Sequence, residues 1–195
     1  GHVGEAPWER RMRENADAKA AIARAFAATI RDGDSLILDT GTTTSFVARA
    51  LLSHRALTVV TNSPDIARTL ATRNGNKVYM AGGELRSDSG AAFGSTAIEF
   101  IERFSVDLAV ISAGAVHAEG GVMDYTFEEA EFARVALARG RRRVVVTDQS
   151  KFGRAGLVRV CGFDGFGELF TDGNAPRDLA RALAAHGVEV RSVPG

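Results

Sequence analysis

Several features are missing from this chain, and each absence narrows what it can be. One cysteine, Cys161, stands in 195 residues, so no disulfide can close within it. No apolar run approaches the roughly 18 residues that a membrane span requires. The 24 Lys and Arg are matched by 24 Asp and Glu, so the chain as a whole lacks the basic excess that tracks a nucleic-acid backbone. If DNA is a partner, another segment binds it. Fixed-period repeats, low-complexity tracts and Pro/Ser-rich linkers are absent too, which leaves no internal domain boundary. The expectation is a soluble cytoplasmic protein with no membrane partner, and 45% hydrophobic content at this length supports one substantial core rather than two. The opening GHVGEAP has no basic region followed by an apolar one, and its Gly-His without methionine reads as the scar of a cleaved tag. Residues 1–16 are therefore expected to be that scar and a linker remnant, residues 17–195 one domain, and the native N-terminus to be missing.

What the chain does have is alternation. Ile22, Phe26 and Ile30 recur every fourth residue from Asp17 to Arg31, the spacing of one face of an amphipathic helix. A strand Ser35–Asp39 precedes the helical SFVARALL, and LTVVT (Leu57–Thr61) precedes a helix for which Ser63 is a cap and Pro64 a first residue. KVYMAGG reads as a third strand, STAIEFIERF as a helix, and DLAVIS (Asp107–Ser112) as a strand followed by a loop of about a dozen residues. The next helix opens at Thr126, with Glu129 at the capping-box spacing and Gly140 as its stop. RRVVVTD, the shorter ELFTD, a helix ending at Gly187 and a last strand VEVRSV complete the pattern. Apolar strands without strict polar alternation, separated by helices, predict an α/β fold: a mostly parallel sheet flanked by helices on both faces. The less regular segment after about residue 148 is expected to add a small irregular or antiparallel elaboration.

The strand ends carry the chemistry. DTGTTT, TNS, AGG, SAG and TDQS each follow an apolar strand core, and open α/β sheets bind ligands beyond the carboxyl ends of their strands. At DTGTTT a helix begins, so unpaired amides and a positive dipole end are available to an anion. Gly41 would let the backbone approach and Thr42 to Thr44 would add hydroxyls; the plainer alternative is that these residues only cap the helix. There is neither a G-x-x-x-x-G-K-[ST] loop nor a G-x-G-x-x-G after a strand, which argues against a nucleotide or dinucleotide. A small phosphorylated molecule fits better, and no cofactor is implied. Asp124, Glu128, Glu129 and Glu131 could hold sugar hydroxyls or, in an enzyme, act as a base, unless they merely complement a helix dipole. Lys151, just past a strand end, could neutralise a phosphate or lie on the surface. His2, His54, His117 and His186 have no metal-ligand spacing, although His117 falls in a crevice loop, and Cys161 reads as a structural thiol. The runs RGRRR (Arg139–Arg143) and ERRMR (Glu9–Arg13) are explained by solvation and dipole complementarity, with phosphate-backbone contact as the alternative and a linker as a further place for the second.

Taken in order, IRDGDSLILDTGTTTSFVARAL, LTVVTNSPDIARTL, AGGELR, FGSTA, DLAVISAG, EEAEFAR, TDQSKFG and a final GVEV resemble the C-terminal sensor domain of DeoR-family bacterial transcription regulators, from Lys19 to Val193. The resemblance implies a fold similar to ribose-5-phosphate isomerase, glucosamine-6-phosphate deaminase and coenzyme A transferases. It also implies a phosphorylated sugar as effector, and operator DNA held only through an N-terminal winged helix-turn-helix absent from this chain. On that reading Asp39, Gly41, Thr42 and Thr43 anchor the phosphate or sugar, while Asn62, Ser63, Gly82, Gly83, Asp124, Glu128 or Glu129, and Lys151 line the remainder. Two departures stand out. Ala133 replaces a lysine common in the EEAEFAR helix, and GAVHAEGG replaces a Gly-Ile-Asp-like loop. A homo-oligomer, dimer or tetramer, is expected, since operators are typically read by symmetric pairs. An active sugar-phosphate isomerase or deaminase and a standalone oligomerisation module are the alternatives.

Overall fold

The computed structural model describes residues 7–194; the Gly-His opening lies outside them. Two helices, α1 (Trp8–Arg13) and α2 (Ala16–Ala27), precede the sheet. Strands β1 (Ser35–Leu38), β2 (Thr58–Thr61) and β3 (Lys77–Met80) alternate with α3 (Thr42–Ala50) and α4 (Pro64–Leu70), and α5 (Ser95–Ile101) follows β3. Next come β4 (Val106–Ser112), β5 (Ala115–His117), β6 (Gly121–Asp124) and α6 (Phe127–Ala138). The chain ends with β7 (Gly140–Val146), β8 (Val158–Cys161), β9 (Glu168–Asp172), α7 (Arg177–Ala185) and β10 (Glu189–Val193). Seven strands form one sheet in the order β10-β9-β7-β4-β1-β2-β3, and every pairing in it is parallel. A second sheet, β5-β6-β8, is antiparallel.

The interior strands are apolar on both faces because both are covered. Leu36 and Leu38 face a core built with Ile22 and Phe26 of α2, Val47 of α3 and Ile66 of α4. Between them, Ile37 points the other way, into a core with Ile101 of α5 and Phe132 of α6. Val144 and Val146 likewise join the first core, while Val145 meets Leu179 and Leu183 of α7. This alternation is why the interior strands β1, β2 and β4 show no polar face in sequence, whereas the edge strands β3 and β10 are largely exposed. Full burial of Ile22 and Phe26 contributes about 1.5–3 kcal/mol for each side chain, and Phe26 meets Phe170 edge-on with ring centroids 5.5 Å apart.

Three local expectations need correction. The dozen-residue loop after β4 is instead the β5–β6 hairpin, whose three- and four-residue strands are too short to show a period. Consequently the antiparallel elaboration starts before residue 148, and only β8 comes from the later segment. Gly140 is not a left-handed helix stop: it opens β7, and a Cβ there would collide with the backbone N of Ala109. Its glycine serves close strand approach. Finally, α2 stops at Ala27 rather than Arg31, with Ile30 still buried against the core.

Candidate functional site

Winding of the main sheet reverses between β1 and β4: β2 and β3 are added beyond β1, whereas β7, β9 and β10 are added beyond β4. Connections leaving neighbouring strands in opposite directions open a crevice above their carboxyl ends. Residues Asp39–Thr43 after β1 and Ser112–Gly114 at the end of β4 line that crevice, a cleft of about 590 Å³ counting its open mouth.

The β1–α3 turn is built to hold amides outward. Gly41 lies against β4, where a Cβ would run into the side chain of Ser112. Ser112 Oγ accepts from the Thr44 amide at 3.1 Å, and the Ser112 amide donates to Asp39 Oδ1 at 3.0 Å. The Thr44 hydroxyl donates to the Asp39 carbonyl at 2.7 Å, and the Thr40 amide to Asn62 Oδ1 at 2.9 Å. The first intrahelical bond of α3 runs from Ser45 N to Gly41 O, 2.9 Å. With no side-chain cap on the helix, the amides of Gly41, Thr42 and Thr43 have no acceptor among the described residues. The buried Thr40 hydroxyl also has no partner among the described residues. A helix end of this kind carries roughly half a positive charge, and such ends receive anions.

Lys151 and Arg11 add cationic lining to the same cleft. Lys151 closes a 3-10 turn (Gln149–Lys151) after β7, capped by Asp148 through the Ser150 amide at 2.9 Å. Carboxylates supply further lining. Asp39 is 5% exposed, and its pKa is raised well above the ordinary value, first by burial and further by the nearby Glu129 charge, against the lowering effect of the Ser112 amide. Asp124 ends β6, and Gly114 makes space for it, since a Cβ there would stand 2.6 Å from Asp124 Oδ1. Glu129 lies in the first turn of α6, where Thr126 Oγ1 accepts its amide at 3.2 Å. Arg86 reaches Glu129 at 3.4 Å while stacked 5.3 Å above the Phe93 ring. Donors for an anion and acceptors for hydroxyls thus share one cleft.

Of the residues expected at a site, Asp39, Gly41, Thr42, Thr43, Asp124, Glu129 and Lys151 line this cleft. Asn62, Ser63, Gly82, Gly83 and Glu128 do not. Asn62 is fully buried and spent on structure, its amide nitrogen donating to the Ala92 carbonyl at 2.8 Å. Ser63 caps α4 by accepting the Ile66 amide at 3.1 Å. Gly82, Gly83 and Glu128 are exposed. Trp8, Arg11, Ser89, Phe93 and Ser112 line the cleft without having been expected there. Only Ser112 had a readable signal, as the serine of the SAG strand end. His117 holds the β5–β6 turn through bonds from the Glu119 and Gly120 amides to Nδ1 at 3.2 and 3.3 Å. Burial, then the charge of Asp164, pushes the Cys161 thiol up to about 12, as an unreactive structural thiol requires. The Arg139–Arg143 run is largely tied to its surroundings, with Arg142 bidentate on Glu168 at 2.9 and 2.8 Å and Arg139 on the Phe104 carbonyl at 2.7 Å. Among the described residues no group of His, Cys, Asp and Glu could hold a metal ion, and no helix is long and apolar enough to cross a membrane.

The chain is 32% identical over 184 residues to the glycerol-3-phosphate regulon repressor of Escherichia coli K12, covering 94% of this chain and 73% of the repressor. The HTH-type transcriptional repressor CsqR of the same organism is 33% identical, with 94% and 70% covered. Among solved structures, eIF2B beta from Chaetomium thermophilum superposes with a TM-score of 0.55 at 17% identity, covering 88% of this chain and 54% of that one. Ribose 5-phosphate isomerase A from Methanocaldococcus jannaschii gives 0.51 at 16%, with 71% and 55% covered. This chain thus matches about half the length of those two structures, and at such identities the likeness establishes the fold alone. The family description that matches is the DeoR C terminal sensor domain, over residues 14–173. The named relatives are transcriptional repressors, and the chain belongs to the DeoR family as its C-terminal sensor domain.

Proposed function

We propose that residues 17–195 form the effector-binding unit of a DeoR-type repressor, and that the cleft between β1 and β4 takes a small phosphorylated sugar or polyol. The carrying observation is the set of three amides, Gly41, Thr42 and Thr43, left without acceptors among the described residues at the head of α3. In this reading the phosphate sits on those amides, with Lys151 neutralising its second charge, while Asp39, Asp124 and Glu129 accept from sugar hydroxyls. Glycerol 3-phosphate, from which the similar Escherichia coli repressor takes its name, is the natural first probe. Binding then alters operator affinity by favouring one arrangement of a cytoplasmic homo-oligomer whose winged helix-turn-helix holds the DNA, since only differential affinity shifts such an equilibrium.

A thermal-shift panel of glycerol 3-phosphate, ribose 5-phosphate and glucosamine 6-phosphate, each beside its unphosphorylated parent, tests this. A ligand at about 100 times its dissociation constant stabilises the domain by roughly 2.7 kcal/mol, or about 5–11 °C for a chain of this size. Equal shifts with phosphorylated and parent compounds, or none with any of them, refute the reading.

A further inference from the structure

The two edges of the main sheet are finished differently. At one, β10 carries Glu189 and Arg191, and Arg191 pairs with Glu168 at 3.6 Å and Glu189 at 3.3 Å before Pro194 follows. Charges and a proline are ordinary means of keeping an edge from pairing with another chain. At the other edge β3 reads Lys-Val-Tyr-Met, with Lys77, Tyr79 and Met80 exposed. Six large hydrophobic side chains are exposed among the described residues, and three of them, Tyr79, Met80 and Leu85, belong to this edge and the turn after it. Single exposed apolar residues need no explanation, whereas a group beside an open edge marks a contact surface. Tyr79 packs on Phe104 with ring centroids 5.3 Å apart, and Phe104 on Phe100 at 5.2 Å, so an aromatic row backs the edge on the α5 side.

Backbone phase dictates how a partner pairs here. Lys77 N donates to the Leu57 carbonyl and Ala81 N to the Thr61 carbonyl, each at 2.8 Å. Alternate residues of a strand turn their polar groups to opposite sides. Val78 and Met80 therefore turn amide and carbonyl away from β2, toward a side that holds no strand among the described residues. Two copies related by a two-fold axis in the middle of β3 run antiparallel. Val78 then faces the partner's Met80 in a doubly bonded pair, Met80 faces the partner's Val78 in another, and the two Tyr79 rings meet at the axis.

Charge fits the same operation. Residues 71–78 hold Arg73 and Lys77 and no acid, whereas residues 79–85 hold Glu84 and no base. None of these three side chains has an ion pair among the described residues. Antiparallel pairing runs the basic end of one β3 along the acidic end of the other, and the symmetry does so twice. Parallel pairing in register would set like charges against like.

We propose that β3 is the self-association edge of this domain: two copies join β3 to β3 antiparallel, with Val78 and Met80 exchanging backbone hydrogen bonds and Lys77 facing the partner's Glu84. The pairing is isologous and closes at two copies, giving one continuous sheet with the charged β10 at both outer edges. This deepens the homo-oligomer of the reading above by giving it a surface, and that surface lies away from the β1–β4 cleft.

Sedimentation equilibrium of the whole chain across a wide concentration range tests this, beside hydrogen exchange of single amides. A dimer should form, and exchange at Val78 and Met80 should slow at least about tenfold as it does. Tyr79→Lys, which sets like charges together at the axis, should leave a folded monomer by circular dichroism. So should Met80→Pro, which removes an outward amide that no bond to β2 uses. Lys77→Glu should weaken the dimer about tenfold, and adding Glu84→Lys should restore it. Val190→Lys, at the other edge, should dimerise as the parent does. A chain monomeric at every concentration, a dimer that survives both Tyr79→Lys and Met80→Pro, or one lost in Val190→Lys overturns the proposal. A monomer whose Val78 and Met80 amides are nevertheless protected has this edge filled by another segment of its own chain, and overturns it too. Thermal stabilisation by a sugar phosphate reads the cleft separately, so loss of the dimer leaves the effector reading standing.

Discussion

Replacing Gly41 by alanine tests the architecture of the β1–α3 turn directly. The added methyl would enter space held by the Oγ and Cβ of Ser112, and Ser112 cannot yield freely because its hydroxyl accepts the Thr44 amide and its own amide serves Asp39. Overpacking in a tight site costs about 1–3 kcal/mol, and loss of the Ser112–Thr44 bond adds about 1 kcal/mol. The expected destabilisation is therefore about 2–4 kcal/mol, a melting temperature lowered by about 4–16 °C. Phosphate affinity should fall as well, because relief of the clash moves the amides that would hold it. Urea unfolding of Gly41→Ala, Ser112→Gly and the double variant closes a cycle. Removing Ser112's side chain should erase the steric part, leaving the double variant more stable than the two single losses predict by about 1–3 kcal/mol. Parent-like stability in Gly41→Ala, or simple additivity across the cycle, would refute the close-approach argument.

Four further outcomes follow from particular contacts. Lys151→Met should weaken binding of a sugar phosphate about 10- to 100-fold by isothermal calorimetry, the range for a lost charged contact, while leaving affinity for the unphosphorylated parent unchanged. Asn62→Ala strands the Thr40 amide and the Ala92 carbonyl and should cost about 2–4 kcal/mol in urea unfolding, about 1–3 for each orphaned group partly offset by relaxation. Asp39 keeps its proton in the fold at pH values where the unfolded chain has lost it, so its contribution to stability falls as pH rises from 3.8 through the raised folded value; Asp39→Asn should flatten that part of the stability curve. Lys19 is the opposite case. Burial lowers its pKa from 10.5 to about 8, the unfolded chain binds the proton more tightly between those values, and stability rises with pH across that window. The difference between the parent and Lys19→Met curves should show this slope, and a flat difference would mean that Lys19 stays solvated.

Legibility followed the range of the interactions. Period and composition revealed the parallel sheet because each strand's apolar residues record its own burial, and Ser63–Pro64 and Thr126–Glu129 revealed helix starts because a cap is a contact within three residues. Aligned strand ends found Asp39, Gly41 and Lys151, since a parallel sheet puts all carboxyl ends on one rim. Within that rim the sequence could not separate lining from support. Asn62 and Thr42 are both polar residues after a strand, but Asn62 is spent holding Thr40 and Ala92 across the gap, and only three-dimensional register decides that. Gly82 and Gly83 lie at an edge strand, away from the β1–β4 reversal, so the same glycine signal led nowhere. Trp8 and Arg11 were beyond reach for a different reason: they arrive by a backbone break at Asn15, and a left-handed asparagine leaves almost no trace in residue pattern. The residues easiest to miss are therefore those brought in by connections rather than by the sheet.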